Sequence, residues 1–238
     1  MSEAGFLAKT LALTRKDLTI EARGRDTLVP MVLFAATVSL LTGFALPDAA
    51  SSDRVASDGL SLPDVVAGLL WLTVLFAGLM GFARTFEIER EEAAIDALLL
   101  VPVDRSGLFF SKAAANLVAL IALQVVTVPL FALLYTLPLG SRWPALLLVV
   151  LLADVGFVAA GTLLSAVAAQ TRSRELLLPI LALPTLVPVF IAATELSSQL
   201  FAGGGLADLT GRGWFAILLA FDCISVVAGA LAFEYVLE

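Results

Sequence analysis

The sequence predicts an all-α integral membrane protein with six transmembrane helices. Of its 238 residues, 60% are hydrophobic and 15% are charged. The mean hydropathy of +1.01 indicates more apolar surface than the core of a soluble domain of this size can bury. The surplus is expected to face lipid. Several charge-poor runs reach the roughly 20 residues that a helix needs to cross about 30 Å of hydrocarbon.

The predicted spans follow one another along the whole chain. They occupy residues 28–46, 65–83, 113–139, 143–169, 176–194 and 214–233. Residues 1–27 precede the first span, and residues 84–112 form the longest cytoplasmic connection. We expect a single transmembrane domain over residues 1–238, because the outer loops are too short to fold by themselves.

The distribution of basic residues predicts the side that each loop faces. From the N-terminal segment through the five loops to the C-terminus, Lys and Arg number 5, 1, 4, 1, 2, 1 and 0. Loops on the cytoplasmic side carry an excess of these residues. Both termini are therefore predicted to be cytoplasmic, which requires an even number of spans.

Residues 1–27 have the pattern of an amphipathic helix. Two sets of side chains alternate at helical spacing: Leu7, Leu11, Thr14 and Leu18 on one face, and Lys9, Lys16 and Arg23 on the other. Such a helix lies along the inner headgroups, as an interfacial elbow leading into the first span. The alternative is a loosely ordered basic tail that only sets the topology.

The connection at residues 84–112 is predicted to contain a charged helix. It begins with a run of glutamates, and Ile88, Ile95 and Leu99 return at helical spacing to form an apolar stripe. Pro102 is expected to interrupt this helix, since proline lacks an amide hydrogen and its ring collides with the preceding turn. The stripe suits docking of a soluble partner; alternatively, it packs on the protein's own inner face.

Three stretches of the chain resemble the permeases of type 2 ABC exporters, and more narrowly the CcmB family of haem exporter permeases of cytochrome c maturation. They are GLLWLTVLFAGLMGFARTFEIEREEAAIDALLLVPVDRSGLFFSK, RSRELLLPILALPTLVPVFIAATE and the terminal FEYVLE. The second stretch is the most specific, because unrelated membrane helices seldom carry three prolines in ten residues, here Pro179, Pro184 and Pro188.

The resemblance implies a transport subunit of the cell (inner) membrane, driven by a separate cytoplasmic ATPase similar to CcmA that binds ATP and Mg²⁺. It further implies a second permease copy, a haem-handling membrane protein similar to CcmC, a small membrane subunit, and haem as cargo; no nucleic acid is expected. The residues that it assigns to ATPase coupling are Glu87, Glu91, Glu92, Ile95, Asp96, Leu99 and Pro102.

The chemistry missing from the sequence favours a transport subunit over an enzyme. No G-x-x-x-x-G-K-[ST] loop occurs, so ATP is expected to be hydrolysed by another chain. The chain has no histidine, the commonest axial ligand of haem iron and the usual base of serine-type hydrolysis. We expect no metal and no cofactor in this chain, and any porphyrin contact to be apolar or through propionates.

Two ionisable residues, Asp154 and Asp222, lie inside predicted spans. Because charge is costly in hydrocarbon, each is a candidate functional residue. Each either pairs with a polar group across the subunit or dimer seam, faces a watery cleft with a part in transport, or stays protonated.

The prolines at 179, 184 and 188 are expected to kink the fifth span, as a hinge or as a static bend. Each frees the carbonyl four residues earlier, which needs another partner, so this span is expected to be buried in the bundle.

Three alternative functions stay open. A type 2 exporter permease for a drug, lipid or glycan would differ only in cargo. A membrane scaffold would couple ATP hydrolysis to release of a haem chaperone without passing haem through itself, which the absence of iron ligands slightly favours. An intramembrane enzyme is disfavoured, because the chain lacks histidine and any paired carboxylate set.

Overall fold

The fold is entirely helical in the part of the chain that the computed structural model describes, residues 5–46, 61–86, 105–137, 139–171, 174–210 and 213–236. The helices are α1 (Phe6–Gly24), α2 (Leu28–Ala45), α3 (Leu62–Arg84), α4 (Arg105–Leu134), α5 (Trp143–Ala169), α6 (Arg174–Phe201), α7 (Leu206–Thr210) and α8 (Gly213–Val236), with a 3-10 turn at Gly140–Arg142. The predicted all-α class is confirmed.

Six of these helices, α2 to α6 and α8, are long and apolar enough to cross a membrane, as predicted. The largest boundary difference is at the start of α4, which begins at Arg105 instead of residue 113; this helix ends at Leu134. It stops short of the predicted residue 139 because Thr136 has a left-handed φ of 47°, which a right-handed helix cannot continue. The side of the membrane on which each terminus lies stays a prediction.

The start of α3 shows how the local sequence sets a helix boundary. The Ser61 hydroxyl accepts a hydrogen bond from the Asp64 amide at 3.4 Å, and the Asp64 carboxylate accepts one from the Ser61 amide at 3.0 Å. This capping box satisfies amides that lack partners within the helix, and Pro63 fits the first turn because its missing N–H is not needed there.

The core lies where α3, α5 and α6 pack together. The indole of Trp71 donates a hydrogen bond to Ser197 Oγ at 2.9 Å and meets the ring of Phe190 edge-on, with 6.0 Å between centroids. Phe157 contacts both Phe190 and Phe82 in the same edge-on manner, at 5.0 and 4.9 Å. These contacts join the three helices through large side chains, which dominate burial energetics.

Small residues on α5 allow its neighbours to approach closely. A methyl group at Gly161 would overlap the ring of Phe82 from α3, and one at Gly156 would overlap the carboxylate of Asp222 from α8. Ala160 and Ser165 on the same helix are also buried. This is the packing that small residues provide between membrane helices.

The perimeter of the bundle is apolar. Large side chains with more than half of their surface exposed occur on all six long helices: Leu33, Leu41, Phe44, Leu72, Val125, Leu133, Leu147, Leu176, Ile180, Ile224, Val227 and Leu231. In a chain of this hydropathy such side chains face lipid or another membrane protein.

Candidate functional site

The candidate site is the end of the bundle that carries α1, which we call the α1 end. There α2 and α4 begin and α3 ends, and α1 packs along the first turns of α4. The residues that the resemblance assigns to ATPase coupling all lie outside the described residues: Glu87, Glu91, Glu92, Ile95, Asp96, Leu99 and Pro102. Both flanks of that segment are described, and both lie at the α1 end.

An ion pair joins α1 to α4 at this end. Lys112 Nζ lies 3.1 Å from Asp17 Oδ2, and only 6% and 13% of the two side chains are exposed. Lys112 also lies over the ring of Phe86, with 5.6 Å from Nζ to the centroid. Since Phe86 directly precedes the first residue assigned to ATPase coupling, Glu87, and Lys112 follows the last, Pro102, one lysine contacts α1 and the opposite flank of these residues.

Apolar packing strengthens the same junction. Phe86, Phe109 and Phe233 form a buried cluster, with centroid separations of 6.2 Å between Phe86 and Phe233 and 5.6 Å between Phe109 and Phe233. Leu13 of α1 packs against this cluster. Thr14 Oγ1 donates a hydrogen bond to the carbonyl of Ser111 at 3.4 Å. The helix α1 is thus part of the bundle, and the alternative of a loosely ordered tail is wrong.

The apolar face predicted for α1 divides between the protein and its surroundings. Thr14 and Leu18 are half-buried, whereas Leu7 and Leu11 are 79% and 73% exposed. Their exposure leaves apolar side chains of α1 open to the surroundings, as an interfacial helix requires.

Two further contacts tie α1 to the membrane helices. Glu21 Oε1 accepts hydrogen bonds from the amides of Thr27 and Leu28 at 3.1 and 2.8 Å, which satisfies donors at the start of α2. Arg84, the last residue of α3, donates from Nη1 to the carbonyl of Asp26 at 2.5 Å. The turn between α1 and α2 is therefore fixed from both sides.

A chain of polar side chains crosses the bundle just inside this end. Thr85 Oγ1 donates to Asn116 Oδ1 at 3.1 Å, and Asn116 Nδ2 donates to Thr162 Oγ1 at 3.0 Å. The chain connects the end of α3, through α4, to the second half of α5. Hydrogen bonds of this type hold membrane helices together, each contributing on the order of 1 kcal/mol.

Asp154 is fully buried on α5 and paired with an amide on α4. Gln124 Nε2 donates to Asp154 Oδ1 at 2.8 Å. The other two polar atoms of the pair, Gln124 Oε1 and Asp154 Oδ2, have no hydrogen-bond partner among the described residues. Asp154 therefore has a polar partner, Gln124, within the same chain. A direct part of Asp154 in transport stays a prediction.

Replacing Asp154 by Asn should be mild, because the Asn Oδ1 atom can still accept the hydrogen bond from Gln124. Asp154→Ala should instead lower the free energy of unfolding by about 1–3 kcal/mol, since the buried amide of Gln124 loses its acceptor. Unfolding midpoints in detergent measure both effects. A loss equal to that of Asp154→Ala in Asp154→Asn would contradict this account of the pair.

Asp222 lies on α8 against the backbone of α5 at Gly156. Its side chain is buried, and neither carboxylate oxygen has a hydrogen-bond partner of ordinary geometry among the described residues. Asp154 of α5 faces α4, whereas Asp222 of α8 packs against α5 at Gly156, so the two aspartates lie on different sides of α5.

The three prolines lie within one continuous helix, α6. This helix packs on α3, α5 and α8, yet Pro184 and Pro188 are on its exposed side. The expectation that the span is buried is thus wrong for that face, because a proline ring directed outward avoids the neighbouring helices. A hinge or kink at Pro179, Pro184 or Pro188 stays a prediction.

Sequence reasoning missed the partners that assemble the site. Gln124 and Asn116 are uncharged amides inside an apolar run, so the sequence alone could have identified both as polar residues within a membrane helix. Asp17 and Glu21 lie four residues apart on one face of α1, but the pattern of this basic segment was interpreted from its apolar and basic residues alone. Which residues these groups contact depends on how the helices face one another.

Comparison with known proteins gives one consistent result. The CcmB protein family matches residues 8–238. The chain is 33% identical to "Heme exporter protein B" of Rhodobacter capsulatus over 142 residues, which cover 60% of this chain and 65% of that protein. It is 30% identical to the Paracoccus denitrificans protein of the same name over 59% of this chain and 64% of the relative. The Pseudomonas aeruginosa protein of that name is 28% identical over 92% of this chain and 95% of its own length.

Proposed function

Because the chain belongs to the CcmB protein family, we propose that it is the membrane-spanning permease subunit of an ABC-type complex that serves haem export in cytochrome c maturation. The observation that carries this proposal is the family match along nearly the whole chain, together with relatives named for haem export. The six membrane-length helices agree with a multi-pass permease. Its place is the cell (inner) membrane.

The energy for transport comes from a separate ATPase subunit, similar to CcmA, that docks on residues 84–112. The α1 end supports this assignment, because Phe86 and Lys112 place both flanks of the segment beside each other and beside α1. A force applied between the flanks acts directly on α3 and α4. The side-chain hydrogen bonds from Thr85 through Asn116 to Thr162 transmit it to α5.

The complex further contains a second permease copy, a haem-handling membrane protein similar to CcmC and a small membrane subunit. Two modes of action are consistent with such an assembly. In one, haem passes along the permease; in the other, the permease is a scaffold through which ATP hydrolysis releases a haem chaperone. The histidine-free sequence favours the second mode, since the usual axial ligand of haem iron is missing.

The test is purification of the complex in mild detergent, with the neighbouring genes co-expressed, followed by haem absorption spectroscopy. We expect the ATPase to co-purify with this chain, and the haem absorbance to follow the haem-handling subunit and to be absent from the chain purified by itself. Purification without any ATPase, with normal cytochrome c assembly in a strain lacking this chain, would contradict the proposal. Haem retained by the isolated chain would favour passage over scaffolding.

A further inference from the structure

A cavity at the α1 end has no part in the function described above. Its volume is about 320 Å³, at the lower end of the range for small-molecule sites. It lies between α1, the start of α2, the end of α3 and the first half of α4. The helix α1 forms its outer wall, and two exposed apolar side chains, Ile20 and Val118, are among its lining residues.

The lining is charged at one end and mainly apolar along the rest, where Asn116 adds a polar side chain. Asp17, Glu21, Arg84 and Lys112 supply two charges of each sign; Asp17 and Lys112 are paired with each other, whereas Arg84 is exposed and Glu21 half-buried. Below them on α4, Ala115, Val118 and Ala119 continue the wall. Lys112 and Ala119 are seven residues apart, which corresponds to about 10 Å along a helix axis.

The change from charged to apolar lining along the cavity matches the change from headgroups to acyl chains at the boundary of a bilayer. The charged residues lie where α2 begins and α3 ends, at the level expected for headgroups, and the apolar wall lies where acyl chains begin. A guanidinium has five N–H donors and binds phosphate with charge-assisted hydrogen bonds. Carboxylates at the same level complement an amine.

We propose that the cavity is a binding site for one phospholipid whose headgroup carries both a phosphate and an amine. Its phosphate lies beside the exposed guanidinium of Arg84, its amine beside Glu21, and the first part of one acyl chain along Val118 and Ala119. The bound lipid fills the space between α1 and the membrane helices and so supports the position of α1. The site does not depend on which cargo the complex moves.

Native mass spectrometry of the full-length chain, delipidated and then titrated with phosphatidylethanolamine, tests the site. We expect one tightly bound lipid per chain. Ala119→Phe, which fills the apolar part, should abolish this adduct, and Arg84→Gln should weaken it about tenfold through loss of a charge-assisted hydrogen bond. Phosphatidylglycerol, which lacks the amine, should bind more weakly, and diacylglycerol, which lacks the phosphate, should not be retained.

Two matched variants serve as controls. Val125→Phe adds the same ring to an exposed position of α4 outside the cavity, and Arg15→Gln removes an exposed charge of α1 that does not line it. Both should retain the lipid. Because Arg84 also donates a hydrogen bond to the carbonyl of Asp26, unfolding midpoints of the delipidated variants separate a loss of lipid binding from a loss of the turn between α1 and α2. Equal binding by all variants, equal loss in the controls, or equal affinity for all three lipids would overturn the proposal.

Discussion

A chain carrying both Ile95→Asp and Leu99→Asp is expected to insert into the membrane normally and to lose its ATPase partner completely. Ile95 and Leu99 are one helical turn apart on the apolar stripe of the predicted coupling helix. Two carboxylates there would have to be desolvated at the contact with the ATPase, a cost of several kcal/mol. By the affinity relation of tenfold per 1.4 kcal/mol, this exceeds what a docking contact of moderate affinity can tolerate.

The control for this variant is Ala93→Asp with Ala97→Asp. These residues have the same spacing and receive the same charges, but they project from the opposite side of the predicted helix. We expect the control to retain the ATPase in a detergent pull-down and to support cytochrome c maturation. Retention by the Ile95 and Leu99 variant, or loss by both, would remove the assignment of the coupling surface.

Lys112→Met is expected to lower the free energy of unfolding by roughly 2–3 kcal/mol, somewhat less than for a fully buried ion pair. The reason is that Asp17 loses its buried partner, although Lys16 stays 3.1 Å from its other carboxylate oxygen. Cytochrome c maturation should fall as well, since Lys112 fixes α1 and contacts Phe86 across the coupling segment. Reversible unfolding in mixed detergent micelles measures the first effect, and a cytochrome c assay measures the second.

Lys16→Met is the matched control. Lys16 contacts the same aspartate at the same distance, but its side chain is 40% exposed, so its removal should cost less than about 1 kcal/mol. In a double-mutant cycle, the loss in free energy of unfolding for Asp17→Asn combined with Lys112→Met should be about 1–2 kcal/mol smaller than the sum of the two single losses. Additive single effects would show that Lys112 acts through its contact with Phe86 and not through the ion pair.

The helices could be predicted well because lipid imposes strong constraints on sequence. Each span must satisfy its own backbone hydrogen bonds and present about 20 apolar residues, so the run that became α5 was predicted at the residues the structure gives, Trp143–Ala169. Errors arose where local chemistry overrides hydropathy. The left-handed residue Thr136 ends α4 early, while α6 continues to Phe201 through polar side chains that are buried against α3.

The candidate site was predicted only in part, because a sequence identifies polar residues without their partners. Asp154 was recognised from its charge, but its partner Gln124 lies 30 residues earlier in the chain. The contact between Asn116 and Thr162 joins residues 46 apart. Such pairs depend on the rotation of each helix about its axis, which hydrophobicity hardly specifies when nearly every face of a membrane helix is apolar.

The sequence by itself determined the class of the protein and the number and approximate limits of its spans, because these follow from local composition and residue order. The segment expected to receive an ATPase was assigned by resemblance and stays a prediction. Only the tertiary structure decided that α1 is fastened to α4 through Asp17 and Lys112, that the flanks of the coupling segment meet there, and that a cavity lies beside them. The physical reason is that lipid solvates all apolar faces almost equally. The choice among them is therefore made by a few long-range polar contacts and by the fit of small residues such as Gly156 and Gly161 against large neighbours.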